Sequence, residues 1–279
     1  MEKHTKVKCR ARFSALDIKA EVSELSKMLV GCKLNTAYDL DTKTYLLKLG
    51  KVNFRANLLI ESGVRFHTIG NAPETKDKPN GFSTRLRKYL KSLFFSSIEQ
   101  IGVERVVKIT FCGADPLNKE FTYHIFIELY AKGNVILTNS DLVVLALLRS
   151  HAYSETERVA LNEVYPLELA AKYRFEDINV NEATLEQIVS GNTKNMSLTQ
   201  VVSRLVPCAH QTIAESEINR EELIPSAKYT EAVKEQVLSA SRKLLELYSP
   251  SKVLTEGYSY NKSDGRFSFE FSPVPLDYV

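Results

Sequence analysis

Between residues 44 and 148 the chain is a succession of short, apolar-rich segments punctuated by turn residues, and this pattern restricts its fold more than any other feature. Thr44–Leu49, Arg55–Glu61 and Val64–Ile69 read as strands, with Ser62-Gly63 as a tight turn. Ser97–Gly102, Arg105–Cys112, Thr122–Tyr130, Asn134–Thr138 and Leu142–Leu148 continue the series. Lys132-Gly133-Asn134 and Asn139-Ser140-Asp141 supply hairpin turns. A short strand cannot bury its apolar face alone, so the series predicts a sandwich or flattened barrel. Helices flank it. Ile18, Val22, Leu25 and Leu29 recur on one face of a helix predicted near residues 14–30, with Ser14 at the N-cap, Asp17 three positions later and Gly31 at the far end. Pro73 to Gly81 reads as a loop, and Phe82–Lys91 as a short basic helix.

After Pro166 the character changes. Pro166–Tyr173, Ala183–Val189, Leu198–Val206 and Ala227–Tyr248 carry helical periodicity, and alternation returns only in Arg266 to Phe271, before Pro273 and Pro275. The fold class expected is α+β: a β-sandwich-like domain with flanking helices over residues 1–174, a helical domain over 175–250, and a returning strand segment over 251–279.

Composition narrows the functions available. Hydrophobic residues make up 44% and charged residues 25% of the 279, a balance that can bury a substantial core. No apolar run approaches the ~20 residues of a membrane helix, so no membrane partner is expected. Met1 to Arg12 is polar and basic without an apolar stretch, so no secretory signal is expected either. Cys9, Cys32, Cys112 and Cys208 are scattered without a CxxC pair, which suits free thiols in a reducing compartment better than zinc or a disulfide framework.

Net charge is only +3, yet the cations are clustered. Lys3, Lys6, Lys8, Arg10 and Arg12 crowd the N-terminus against the single acid Glu2. From Lys78 to Ile98 there is no acid, while Lys78, Arg85, Arg87, Lys88 and Lys91 are all basic. Phe82, Leu86 and Leu90 share one face of the predicted helix, leaving Arg85, Arg87, Lys88 and Lys91 mostly on the others. Such a helix is anchored by its apolar side and presents cations able to neutralise phosphates.

Signatures of catalysis are missing. There is no GxGxxG, P-loop, HExxH or GxSxG. The five histidines are dispersed, and His67 and His124 fall in predicted strands, where a satisfied sheet histidine is the expected role. The expectation is a protein that is not an enzyme, with no cofactor and no metal. Two further patterns carry charge at defined places. Ser14-Ala15-Leu16-Asp17 opens the first helix, where Asp17 can cap the backbone N–H of Ser14. Gly102-Val103-Glu104-Arg105 sets an acid–base pair at the start of a strand, where a simple edge-strand charge pair is the commoner role.

Taken in order, these stretches resemble the N-terminal region of the NFACT family. The matching segments are Arg12 to Asp17, Tyr38 to Tyr45, Leu58 to Thr68, Gly81 to Lys91, Ile101 to Arg105, Ile127 to Thr138 and Leu147 to Ser150, dense over residues 12–166 and thinner beyond. The resemblance implies a first domain like the N-terminal domain of formamidopyrimidine-DNA glycosylases, then a helix-hairpin-helix-like domain leading toward the family's coiled coil. It also implies a cytoplasmic, and also nuclear, factor that binds large ribosomal subunits holding peptidyl-tRNA. Such a factor recruits tRNA for untemplated C-terminal tail addition and, in eukaryotes, supports recruitment of a Listerin-type E3 ubiquitin ligase. On that resemblance Asp17, Glu104 and Arg105 are candidate tRNA-binding residues, and Arg85, Arg87, Lys88 and Lys91 candidate ribosome contacts. The sequence departs from the family where Glu104 replaces an Asp and where Val206 to His210 lacks a hairpin glycine. The rival readings are a DNA-glycosylase-like protein, for which the N-terminal proline nucleophile is replaced by Glu2, and an adaptor that binds only protein.

Overall fold

The computed structural model describes residues 12–75, 78–114, 117, 120–152, 157–170, 172–191, 196–261 and 267–277. The basic residues Lys3, Lys6, Lys8 and Arg10 lie outside them. Helix α1 spans Ala15–Leu29 and leads into strands β1 (Lys33–Asp39), β2 (Thr44–Lys51), β3 (Phe54–Glu61) and β4 (Arg65–Ile69). Helix α2 (Gly81–Leu90) separates these from β5 (Phe94–Gln100), β6 (Val106–Ala114), β7 (Glu120–Glu128), β8 (Asn134–Asn139) and β9 (Val144–Leu147). The strands form one antiparallel sheet in the order β4-β3-β2-β1-β5-β6-β7-β8-β9. The sheet and its flanking helices make the chain α+β.

Two features shape this sheet. First, β1 and β5 overlap only over a short stretch about Lys33 and Phe94, joined by backbone bonds from Gly31 and Leu34 to Phe95 and Leu93 and from Phe95 and Ser92 to Cys32 and Leu34. Beyond that point they diverge, and α2 occupies the opening. Arg87 Nε donates to the Ala37 carbonyl of β1 at 2.6 Å, and Arg85 donates to the Leu145 carbonyl of β9 at 2.7 Å. Second, the β3–β4 and β7–β8 turns, from opposite halves of the sheet, touch backbone to backbone. A Cβ placed on Gly133 would lie 2.0 Å from the Gly63 nitrogen, so only glycine fits, and both residues have positive φ (+70° and +76°). Where the strand pattern predicted a sandwich or flattened barrel, the structure holds one large antiparallel sheet of nine strands with two of its turns in contact.

Strand β1 is absent from the sequence reading although it is central. Its sequence, KLNTAYD, is polar, and a bulge between Leu34 and Thr36 shifts the register, so inward residues do not alternate cleanly. Past β9, β10 (His151–Ala152), β11 (Arg158–Val159) and α3 (Leu167–Ala170) cover the far end of the sheet. There Val106, Phe126, Ile136, Val144, Val159 and Tyr165 form a buried cluster in which the Phe126 and Tyr165 rings stack at 4.3 Å.

The remaining helices are α4 (Glu182–Ser190), α5 (Leu198–Leu205), α6 (Gln211–Arg220) and α7 (Lys234–Glu246), followed by the hairpin β12 (Tyr258–Asn261) and β13 (Phe267–Ser272). Helix α5 is closed by a reciprocal Ser197–Gln200 capping box, and Asn181 caps α4. Helix α6 went unrecognised because QTIAESEINR is mostly polar. Its burial rests on Ile213, Ala214 and Ile218. Residues 227–233, expected to be helical, instead hold a short 3-10 turn before α7.

The chain divides into two compact units. One unit takes residues 21–172, and the other joins the first 20 residues to 173–279. The physical reason lies in two ties. The Phe13 ring meets Phe271 edge-on at 5.9 Å, and Lys19 Nζ donates to the Leu247 and Ser249 carbonyls at 2.8 and 2.6 Å, just past α7. Segment 251–279 is therefore part of the helical unit.

Candidate functional site

Asp17 sits in the first turn of α1, where carboxylates are favoured by the helix dipole. It is 5% exposed, and its Oδ2 accepts from the Ser14 amide at 2.7 Å and the Ser14 hydroxyl at 2.6 Å. The Ser14 hydroxyl in turn accepts from the Asp17 amide at 3.2 Å. The capping role expected from sequence is thus present.

Glu104 and Arg105 occupy the turn between β5 and β6, not a strand. Gly102 turns the chain with φ +57°, the Glu104 amide donates to the Ile101 carbonyl at 3.2 Å, and Gln100 Nε2 donates to the Glu104 carbonyl at 2.8 Å. The Arg105 carbonyl accepts from the Leu129 amide at 2.8 Å, which fixes this turn against the end of β7. Both side chains are half-buried. Asp17 belongs to the helical unit, and Glu104 and Arg105 to the sheet unit.

Helix α2 begins at an Asn80 cap, whose side chain accepts from the Ser83 amide. Leu86 and Leu90 are buried with Ser83, and the Phe82 ring meets Tyr45 edge-on at 5.1 Å. One expectation is corrected here. Arg87 does not stand on the solvent side: its guanidinium is half-buried, bonded to Ala37 and 4.6 Å from the Tyr38 ring centroid. The divergence of β1 from β5 leaves the Ala37 carbonyl in need of a donor, and Arg87 supplies it. Arg85 is exposed but carries the bond to Leu145, while Lys88 and Lys91 are exposed. The cationic face is therefore narrower than four residues.

Sequence reasoning missed a polar network inside the sheet unit. Glu128 is fully buried, accepts from the Tyr165 hydroxyl at 3.0 Å and lies 3.8 Å from His151 Nε2. Buried Asn134 donates to the Arg149 carbonyl at 2.9 Å, and Arg149 Nε donates to the Gly133 carbonyl at 2.7 Å. Glu128, Gly133, Asn134 and Arg149 come from the segments Ile127 to Thr138 and Leu147 to Ser150. Their signal in sequence was a charged Glu and a polar Asn inside otherwise apolar strands. Their work is to hold the β7–β8 turn against the segment after β9.

His124 is a satisfied sheet histidine. Its Nδ1 lies 3.1 Å from the Thr110 hydroxyl, and burial, then the Lys108 charge, lowers its pKa. Among the described residues no group of His, Cys, Asp or Glu is arranged to hold a metal, and no helix is long and apolar enough to cross a membrane.

In the turn between α5 and α6, Val206 to His210 contains no residue with positive φ, so this turn makes no demand for glycine. His210 caps α6 through Nδ1, which accepts from the Thr212 amide at 3.3 Å.

Comparison with known proteins places this architecture. The chain is 38% identical over 199 residues, 71% of its length, to the human ribosome quality control complex subunit NEMF. It is 36% identical over 186 residues, 65% of its length, to ribosome quality control complex subunit 2 of Schizosaccharomyces pombe. These matches cover 18% and 17% of the two relatives, so the chain spans about a fifth of their length. In fold it is similar to the fibrinogen binding protein of Staphylococcus aureus, with TM-score 0.68, 18% identity, and 95% of this chain and 91% of that one covered. The family described as NFACT N-terminal and middle domains matches residues 14–276, and the chain belongs to it.

Proposed function

We propose that this chain is the ribosome- and RNA-binding part of a ribosome quality control factor. The observation that carries the reading is its likeness to ribosome quality control subunits, together with the family match over residues 14–276. In this reading the protein binds large ribosomal subunits that retain peptidyl-tRNA, in the cytoplasm and also the nucleus. It recruits tRNA for untemplated tail addition and supports docking of a Listerin-type ubiquitin ligase. It is not an enzyme, because peptide-bond chemistry belongs to the ribosome, and it needs no cofactor. Lys88, Lys91 and Arg85 supply phosphate contacts. Arg105, with Glu104 and Asp17, handles tRNA: an arginine can clamp phosphate or stack on a base, and carboxylates accept from ribose hydroxyls or base amino groups. The reading extends to the fold. The sheet unit corresponds to the glycosylase-like N-terminal domain, and α5 and α6 with their short connection to the helix-hairpin-helix.

Co-sedimentation with purified large subunits, with and without peptidyl-tRNA, tests the reading. Retention that increases with peptidyl-tRNA is expected. Absence of the chain from the subunit pellet in both conditions would refute it.

A further inference from the structure

The outer face of the sheet carries a charge pattern that the basic helix does not explain. Directly opposed residues in neighbouring strands point to the same side. One row therefore crosses Phe94 of β5, Lys33 of β1, Gly50 of β2 and Arg55 of β3 on a single face. Lys48, two residues from Gly50, projects from the same face, whereas Tyr45, Leu47, Leu49, Ala56 and Leu58 are buried on the other. From Thr42 to Ile60 the sequence holds no acid, and Lys33 and Arg55 are exposed. At the centre Gly50 leaves the surface flat, bordered by the Asn35 amide, which a Cβ there would meet at 3.1 Å. Beside it Phe94 is 43% exposed, with Lys33 Nζ 4.7 Å from its ring centroid.

We propose that this face is an RNA-contact surface, in which Lys33, Lys48 and Arg55 hold phosphates and the exposed Phe94 ring stacks on a base. The inference rests on the reading that the chain binds RNA, and adds to it a surface centred on Lys33 and Arg55 that adjoins α2 at the Tyr38 ring, whose centroid is 4.9 Å from Lys48 Nζ and 4.6 Å from the Arg87 guanidinium. Lys33 and Arg55 stand two strands apart, roughly 10 Å, with an uncharged flat strip between them. Cations alone would also suit an acidic protein. The flat strip and the aromatic beside its cation favour nucleic acid, where backbone charge and base faces lie side by side.

The test measures binding of bulk tRNA and of a single-stranded RNA oligonucleotide across a salt series. The variants are Lys33→Glu/Arg55→Glu and the neutral Lys33→Gln/Arg55→Gln, with Lys228→Glu/Arg242→Glu on the helical unit as a control of equal charge change. The sheet-face reversal is expected to weaken binding by roughly tenfold or more at moderate salt and to flatten the salt dependence by about 1.4 in log–log slope. The neutral pair should lie between, and the control should change affinity much less. Phe94→Leu should weaken oligonucleotide binding several-fold with the salt slope unchanged, because stacking releases no counterions. Wild-type affinity and slope in the folded sheet-face reversal would overturn the inference, as would an equal loss in the control pair. Loss of polyglutamate binding without loss of RNA binding would assign the face to an acidic protein and overturn it likewise. If the wild-type chain binds no RNA at all, it is the proposed function that fails.

Discussion

Gly133 and Gly63 hold the β7–β8 and β3–β4 turns in backbone contact, which neither turn tolerates with a side chain. Each glycine is readable in the sequence as a turn, but nothing local to either shows that the two turns touch, since they are far apart in the chain. Gly133→Ala would drive a methyl group into the Gly63 backbone and hold alanine at φ +70°. The expected cost is roughly 3 kcal/mol or more, read as a shift in the denaturation midpoint. Gly81→Ala is the internal comparison, because a Cβ there meets nothing within 4 Å and the residue opens α2. It should be neutral or stabilising by up to about 1 kcal/mol. Equal effects at the two sites would mean that the turn contact does not close the sheet. Asp17 poses a different question, because the sequence shows both of its candidate roles and the geometry establishes only the cap. Asp17→Ala should lose about 1–2 kcal/mol of stability, given two bonds to a buried Ser14. Asp17→Asn keeps an acceptor and should lose less. The tRNA role stands if recruitment in the Asn variant falls further than its melting temperature accounts for. It is dropped if the two losses run in proportion.

Among the elements, α2 shows how far a sequence pattern can carry. Its position and apolar anchors Leu86 and Leu90 were legible from helical spacing, yet the direction of Arg87 was not. Its acceptor is a carbonyl on β1, a strand whose bulge hides it from a search for alternation. The helix therefore combines a half-buried cation with exposed ones, and substitution separates them. Arg87→Glu should destabilise the fold by roughly 2–3 kcal/mol, since it removes a charged donor from the carbonyl of buried Ala37 and sets a carboxylate against it. Lys88→Glu/Lys91→Glu should leave the melting temperature near wild type and weaken tRNA binding several-fold at low salt. The opposite pairing of outcomes would return Arg87 to the RNA-facing side. Helix α1 offers a pH test. Burial, and then the charge of Glu24, raises the Glu21 carboxyl to about 7. Between about 4.5 and 7 the folded chain therefore holds a proton that the unfolded chain has released. Stability from this group grows as pH falls through that window and is lost above it. Glu21→Gln should stabilise the protein at about pH 8 by on the order of 1 kcal/mol, discounted for its partial exposure, with the gain vanishing near pH 4. A gain independent of pH would trace to packing instead.

At the scale of the whole chain, the sequence conveyed the change from strands to helices near Pro166 but not which distant segments join. Segment 251–279 shows why. Its alternating Phe267 to Phe271 was readable as a strand, while the partners that incorporate it lie far away in sequence. Phe271 meets Phe13, Val274 and Leu276 are buried, and Arg220 Nε reaches the Asp277 carboxylate at 2.6 Å. The Asp277 carbonyl accepts from Asn219 Nδ2 at 2.9 Å, and its amide donates to the Ser216 hydroxyl at 2.8 Å. The segment thus supplies one wall of the helical unit along α6. Deleting residues 251–279 should cost that unit at least about 3 kcal/mol, since full burial of a Val or Leu side chain is worth about 1.5–3 kcal/mol. Hydrogen exchange is the measurement, because it reads the two units separately. Protection should fall at α6 and at residues 14–18, where α1 loses the Phe13–Phe271 contact, and persist in β6 and β7 of the other unit. Unchanged protection along α6 would show that 251–279 is an appendage leading elsewhere, as its sequence alone suggested. Equal loss across β6 and β7 would show instead that the two units unfold as one.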